Sequence, residues 1–136
     1  MGVNLQVDKV MERDAVLRWR QLVREVVVAS HVREYVARLV LSTHPGGPYA
    51  VEATNRYVRY GSSPRGAQAL VLGAKVRALL DGRFNVAYRD VQAVALPSMR
   101  HRLILNFEGE AEGVSSDQVI NAALEGVPTE PVGAAR

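Results

Sequence analysis

No cysteine occurs in the 136 residues, which excludes disulfides and any metal site or nucleophile built on a thiol. Aromatic residues make up only 6% of the chain, with a single tryptophan, so the core has to be aliphatic. No apolar run approaches a bilayer's thickness. Acids at Asp8 and Glu12 come too early for a signal peptide. The expectation is a cytoplasmic, soluble domain without a membrane span. The sequence also lacks G-x-x-x-x-G-K-[ST], G-x-G-x-x-G, H-E-x-x-H and G-x-S-x-G, so it holds no P-loop, dinucleotide fingerprint, zinc helix or nucleophile elbow. Its histidines, His31, His44 and His101, sit on different elements without an acid at ligand spacing, and no metal site is expected. A self-contained active site is missing.

What is present is ordinary in amount and uneven in placement. The length suits one domain with a real core, and 48% apolar with 23% charged residues is usual for a globular chain. Net charge is +3. Residues 1–104 hold 16 lysines and arginines against 8 acids, and residues 105–136 hold 1 against 6. All but two of the cations are arginine, the side chain suited to bidentate contact with carboxylate or phosphate. Anionic partners follow: phosphates, an acidic surface, or the chain's own acidic end.

The central stretch is residues 61–83. Ser63 predicts an N-cap and Pro64 the first helical position. Ala67, Leu70, Val71, Ala74, Ala78 and Leu79 form an apolar stripe over residues 64–81. Leu72, Val76 and Leu80 widen it, which predicts burial on more than one face, and Gly82 supplies the stop. Arg65 is out of place, because a cation in the first turn opposes the helix dipole. Free amides and a positive dipole there favour an anion, so Arg65 is either a phosphate contact or a solvated arginine.

Around this helix, residues 1–9 read as a leading segment and linker end. Val10 to Val23 predicts a helix, Val26–Val28 an extended connector or small strand, and Ser30 the cap of a helix ending near Thr43. Glu34 lies close to the capping-box position. His44-Pro45-Gly46-Gly47-Pro48 opens a long loop to Gly61, with a turn of helix at Glu52–Tyr57. There Tyr57 and Tyr60 are expected on the core, with Arg56 and Arg59 solvated. Asn85–Tyr88 reads as a link and Arg89–Met99 as a helix kinked or ended by Pro97. Leu103-Ile104-Leu105 reads as a buried extended segment, and Gly109–Gly113 as a solvated acidic loop without the ligand register of a calcium site. Ser115-Ser116-Asp117 caps a last helix stopped by Gly126 and Pro128, and residues 129–136 form a flexible tail. The fold class is all-α: a bundle of four to five helices with short extended connectors.

Several of these segments together resemble a known family. Arg56-Tyr57-Val58-Arg59-Tyr60-Gly61-Ser62-Ser63-Pro64-Arg65-Gly66-Ala67-Gln68-Ala69-Leu70, then Leu79-Leu80-Asp81-Gly82-Arg83, Leu96-Pro97-Ser98-Met99-Arg100-His101-Arg102 and Asn106-Phe107-Glu108-Gly109-Glu110-Ala111-Glu112-Gly113 are similar to the lid signature of MoxR-type AAA+ ATPases. The resemblance covers residues 10–128 as a C-terminal helical lid. It implies that Arg65 is the sensor-2 arginine reaching the γ-phosphate of ATP, with Ser63 and Pro64 shaping its turn. Arg56 and Arg59 become weaker nucleotide candidates, and Arg100 and Arg102 interface candidates. ATP and Mg would be held mainly by an upstream AAA+ core. Lid and core would close on ATP, and hydrolysis would relax the contact. It further implies a hexamer whose hydrolase activity drives chaperone-like remodelling or metal-cofactor loading of partners, among them von Willebrand factor A proteins. The Walker A and B motifs, sensor 1 and the arginine finger are absent here, so the chain alone is expected to be inactive and to bind ATP weakly at best. The alternatives are a small arginine-rich DNA-binding domain of helix-turn-helix type or a protein-interaction domain without nucleotide chemistry.

Overall fold

The computed structural model describes residues 7–130. Residues 1–6 and 131–136, parts of the expected leader and tail, lie outside the described residues. The five long helical periodicities become α1 (Arg13–Glu25), α2 (Ser30–Leu41), α4 (Pro64–Leu80), α5 (Tyr88–Met99) and α7 (Ser116–Gly126). Between them lie two short helices, α3 (Glu52–Tyr57) and α6 (Phe107–Ala111), a 3₁₀ turn at Arg100–Arg102, and strands β1 (Val58–Tyr60) and β2 (Ile104–Leu105). The fold is an all-α bundle with one very small sheet.

The core is aliphatic with one buried tyrosine. Val32, Tyr35, Val36, Leu39 and Val40 of α2 face Leu70, Ala74 and Ala78 of α4, Val91, Ala95 and Met99 of α5, and Val119, Ile120 and Ala123 of α7. Apart from Leu70, the buried side of α4 is made of small residues, Gly66, Ala74 and Ala78, which lets α5 approach closely. A Cβ at Gly73 would already press on Val94 at 3.3 Å. The far side departs from expectation, because Leu72, Val76 and Leu80 are exposed. Both flanks of α4 are apolar in sequence, and only the positions of α2 and α5 decide which one is covered.

Two expected caps are not made. Ser63 sits at the N-cap of α4 in extended backbone but accepts no amide with its hydroxyl. Ser30 lies inside α2, whose cap position is Ala29. Ser115 does cap α7, and Gln118 returns its side chain to the Ser115 N–H at 2.7 Å. Gly82, at φ +69, ends α4, with Arg83 N–H reaching back to Ala78 O at 2.8 Å. Pro97 is carried inside α5, which continues two residues and tightens into the 3₁₀ turn.

The connectors carry structure of their own. Val27 bridges Asn85 in parallel, its N–H on Phe84 O at 2.9 Å and its carbonyl on Val86 N–H at 3.0 Å. β1 and β2 pair antiparallel, Val58 with Leu105 and Tyr60 with Ile104. Leu103 is buried as expected, while Ile104 points outward. The acidic stretch is solvent-exposed at its glutamates, as expected, but it begins as the helix α6 and is not a loop throughout. Asn106 caps α6 by accepting from Gly109 N–H at 2.9 Å and anchors itself on Arg56 O at 2.7 Å. Thr129, the expected start of the tail, is tied by Arg38 to its carbonyl at 3.0 Å.

Candidate functional site

The mouth of α4 is built by the chain that precedes it. Ser62 N–H donates to Thr43 Oγ1 at 2.9 Å, and Ser62 O lies 2.8 Å from His44 Nε2. Ser62 is fully buried, and its hydroxyl has no partner among the described residues. That hydroxyl lies against Gly66, which has no side chain to collide with it. Pro64 follows at the first helical position, and Arg65 leaves the first turn exposed to solvent. Among the described residues Arg65 forms no ion pair and no side-chain hydrogen bond. The helix start therefore presents a free guanidinium beside a positive dipole.

The other predicted arginines divide. Arg102 belongs near this mouth, because its Cδ is 3.5 Å from where a Gly66 Cβ would stand, while its Nε donates to Ser98 O at 3.0 Å. Arg59 is exposed, its guanidinium 5.2 Å from the Tyr60 ring centroid. Arg100 pairs with Asp117 at 3.0 Å on α7. Arg56 is exposed, as expected, but it is not free for a phosphate: its Nε meets Glu108 and a terminal nitrogen meets Glu112, each at 2.7 Å. Those carboxylates raise its already high pKa. Tyr57 donates its phenol to Glu112 at 2.9 Å, and that hydrogen bond, ahead of burial, pushes its pKa up. Tyr60, expected on the core, is exposed. This cluster is a structural clamp between α3 and α6.

Sequence reasoning missed two features. One is the Thr43–His44 hold on Ser62, which joins residues 18 and 19 apart in sequence and carries no periodic signal. The other is an open groove of about 630 Å³ floored by Val36, Ala67, Val71 and Leu72, with Arg24, Arg33 and Lys75 on its rim. No group of histidine, aspartate or glutamate suited to a metal ion occurs among the described residues. No helix there is long and apolar enough to cross a membrane.

The AAA lid domain family matches residues 51–123 of this helical bundle. The chain is 30% identical over 135 residues to Chaperone MoxR1 of Mycobacterium tuberculosis, covering 98% of this chain and 36% of that protein. It is 41% identical over 75 residues to Protein MoxR of Paracoccus denitrificans, covering 54% of this chain and 22% of that one. The crystal structure of a Cytophaga hutchinsonii protein assigned as an ATPase superposes with a TM-score of 0.80 at 36% identity, over 85% of this chain and 35% of that one. The chain belongs to the AAA lid family, as the lid of a MoxR-type AAA+ ATPase. It spans about a third of the Mycobacterium and Cytophaga proteins.

Proposed function

We propose that this lid works with a separate nucleotide-binding domain of the same ATPase and supplies Arg65 to the terminal phosphate of ATP. The observation that carries the reading is the mouth of α4, a 17-residue helix whose first turn offers an exposed Arg65, unpaired among the described residues, at the positive end of the helix dipole. Pro64 has no N–H and the Gly66 N–H is taken by Ser63 O, so the guanidinium is the main donor there. Ser63 and Pro64 contribute backbone shape, since the Ser63 hydroxyl caps nothing. The residues fit a phosphate and offer nothing for Mg, which we assign to the partner domain. Bound there, the metal neutralises phosphate charge, as in other nucleotide hydrolases. Arg65 holds negative charge that grows on the phosphate, and it orients the lid on ATP in preference to ADP.

In the same reading the full-length protein is hexameric and cytoplasmic, and it remodels or loads cofactors into client proteins, von Willebrand factor A proteins among them. Arg59 is a weaker nucleotide contact, and Arg100 and Arg102 face a neighbouring subunit. Arg56 is withdrawn from the nucleotide set by its two carboxylates. The test is steady-state hydrolysis by the full-length ATPase and its Arg65→Ala variant. Removing one such charge-stabilising donor is expected to cost about 100-fold in kcat with ADP binding preserved. The 136-residue chain alone should show no turnover. Turnover by that chain, lost on Arg65→Ala, would overturn the division of labour.

A further inference from the structure

Arg65 is not offered from a slack loop. We propose that Thr43 and His44, at the end of α2, are positioning residues for Arg65: they grip the backbone of Ser62 and so fix where the guanidinium meets a phosphate. The inference rests on the phosphate reading of Arg65. Ser62 has both main-chain polar groups occupied, its N–H by Thr43 Oγ1 at 2.9 Å and its carbonyl by His44 Nε2 at 2.8 Å. A carbonyl only accepts, so Nε2 carries a proton and the imidazole is the donor. Thr43 Oγ1 also donates to Val40 O at 2.6 Å, which fixes its hydroxyl hydrogen toward α2 and its lone pairs toward Ser62.

The contact is rigid on geometric grounds. Thr43 and Ser62 are fully buried. Gly61 lets the two segments touch backbone to backbone, since a Cβ there would fall 2.4 Å from Thr43 O. Between Ser62 and Arg65 stand only Ser63 and Pro64, and proline fixes its own φ. A shift at the end of α2 therefore passes to the first turn of α4 with little slack. Misplacing a charge-stabilising group by about 1 Å is enough to cost up to two orders of magnitude.

His44 is the better handle, because it is only half-buried while Thr43 holds a doubly bonded hydroxyl inside the core. The experiment uses the full-length ATPase carrying His44→Ala, His44→Gln, Arg65→Ala and the His44→Ala/Arg65→Ala pair. The readouts are affinities for a non-hydrolysable ATP analogue and for ADP, kcat, and the thermal midpoint. His44→Ala is expected to weaken analogue binding about tenfold and lower kcat, with ADP affinity unchanged. His44→Gln, which keeps a side-chain N–H donor, should restore most of both. The double variant should be no worse than Arg65→Ala, because the histidine acts through the arginine. If His44→Ala melts early, His44→Phe keeps the ring volume without the donor and carries the same test. Equal losses for the analogue and ADP, multiplying losses in the double variant, or an effect of Arg65→Ala with none of His44→Ala would overturn the positioning role alone. An Arg65→Ala enzyme that distinguishes the analogue from ADP as strongly as the parent would remove the phosphate reading, and this inference with it.

Discussion

An alanine methyl at residue 66 would stand 1.9 Å from Ser62 Oγ and 3.5 Å from Arg102 Cδ, so Gly66→Ala forces the serine out of its buried place or pushes α4 off its start. Overpacking of this kind costs roughly 1–3 kcal/mol, and chemical denaturation of the purified chain should show a loss in that range. Among the described residues the Ser62 hydroxyl is buried without a partner, so removing it orphans no other group. Ser62→Ala alone should therefore lie within about 0.5 kcal/mol of the parent. Combined with Gly66→Ala it should recover a good part of the loss, because the clash is with that oxygen. Equal instability of the single and double variants would move the clash to the backbone. This mouth also explains how little of it was legible. Arg65 stands out in sequence because a cation contradicts the helix dipole, whereas Thr43, His44 and Ser62 are unremarkable until the chain folds back on itself.

At the scale of elements, the joint between α4 and α5 is electrostatic. Arg83, just past the Gly82 stop, reaches Asp90 in the first turn of α5 with two bonds of 2.9 and 2.6 Å. Asp90 also accepts from Ala87 N–H at 2.8 Å and is 2% exposed. The Arg83 guanidinium holds the Asp90 carboxyl below the usual aspartate range, outweighing burial, which pushes the other way. A carboxylate with a depressed folded pKa stabilises above its unfolded value, near about 4, and that contribution is lost as pH falls through the folded value. Thermal midpoints followed downward from about pH 5 should fall steeply in the parent and less steeply in Asp90→Asn. At neutral pH Asp90→Asn should cost about 2 kcal/mol, the range for a buried, charge-assisted hydrogen-bonded pair. Parallel acid limbs would assign the loss to other carboxylates.

The same joint marks what sequence patterns can reach. α1, α2, α4, α5 and α7 are readable because each repeats apolar residues over eleven or more positions, enough for a helical period to emerge. α6 has five residues and no period. It exists because Asn106 caps it and because Arg56, some fifty residues earlier, holds Glu108 and Glu112. The β1–β2 pairing, between strands of three and two residues, is equally non-local. The two capping errors differ: Ser30 falls one residue inside α2, whose cap position is Ala29, whereas Ser63 stands at the N-cap of α4 but its hydroxyl accepts no amide.

Across the whole molecule, the apolar surface is larger than the bundle covers. Trp19 and Val16 on α1, and Leu72, Val76 and Leu80 on α4, are exposed, and α1 has no buried residue at all. Arg20, Val23, Arg24, Leu72 and Val76 line one shared depression between these helices. Leu72 and Val76 share that depression with Val23, and an exposed apolar patch suits a face that another surface covers. The relatives are about three times the length of this chain, and we expect the remainder of such a protein to cover it. Isolated, the 136-residue chain should associate with itself as concentration rises, and Leu72→Glu should return it to a monomer in sedimentation with its melting unchanged. Salt separates the apolar cause from an ionic one. Arg20 and Arg24 flank the depression, so like charges oppose association between two copies. Screening relieves that repulsion, while sulfate strengthens apolar burial. Association that grows with ammonium sulfate supports the apolar face; association that weakens with salt would assign it to arginine–carboxylate contacts and leave Leu72 uninvolved.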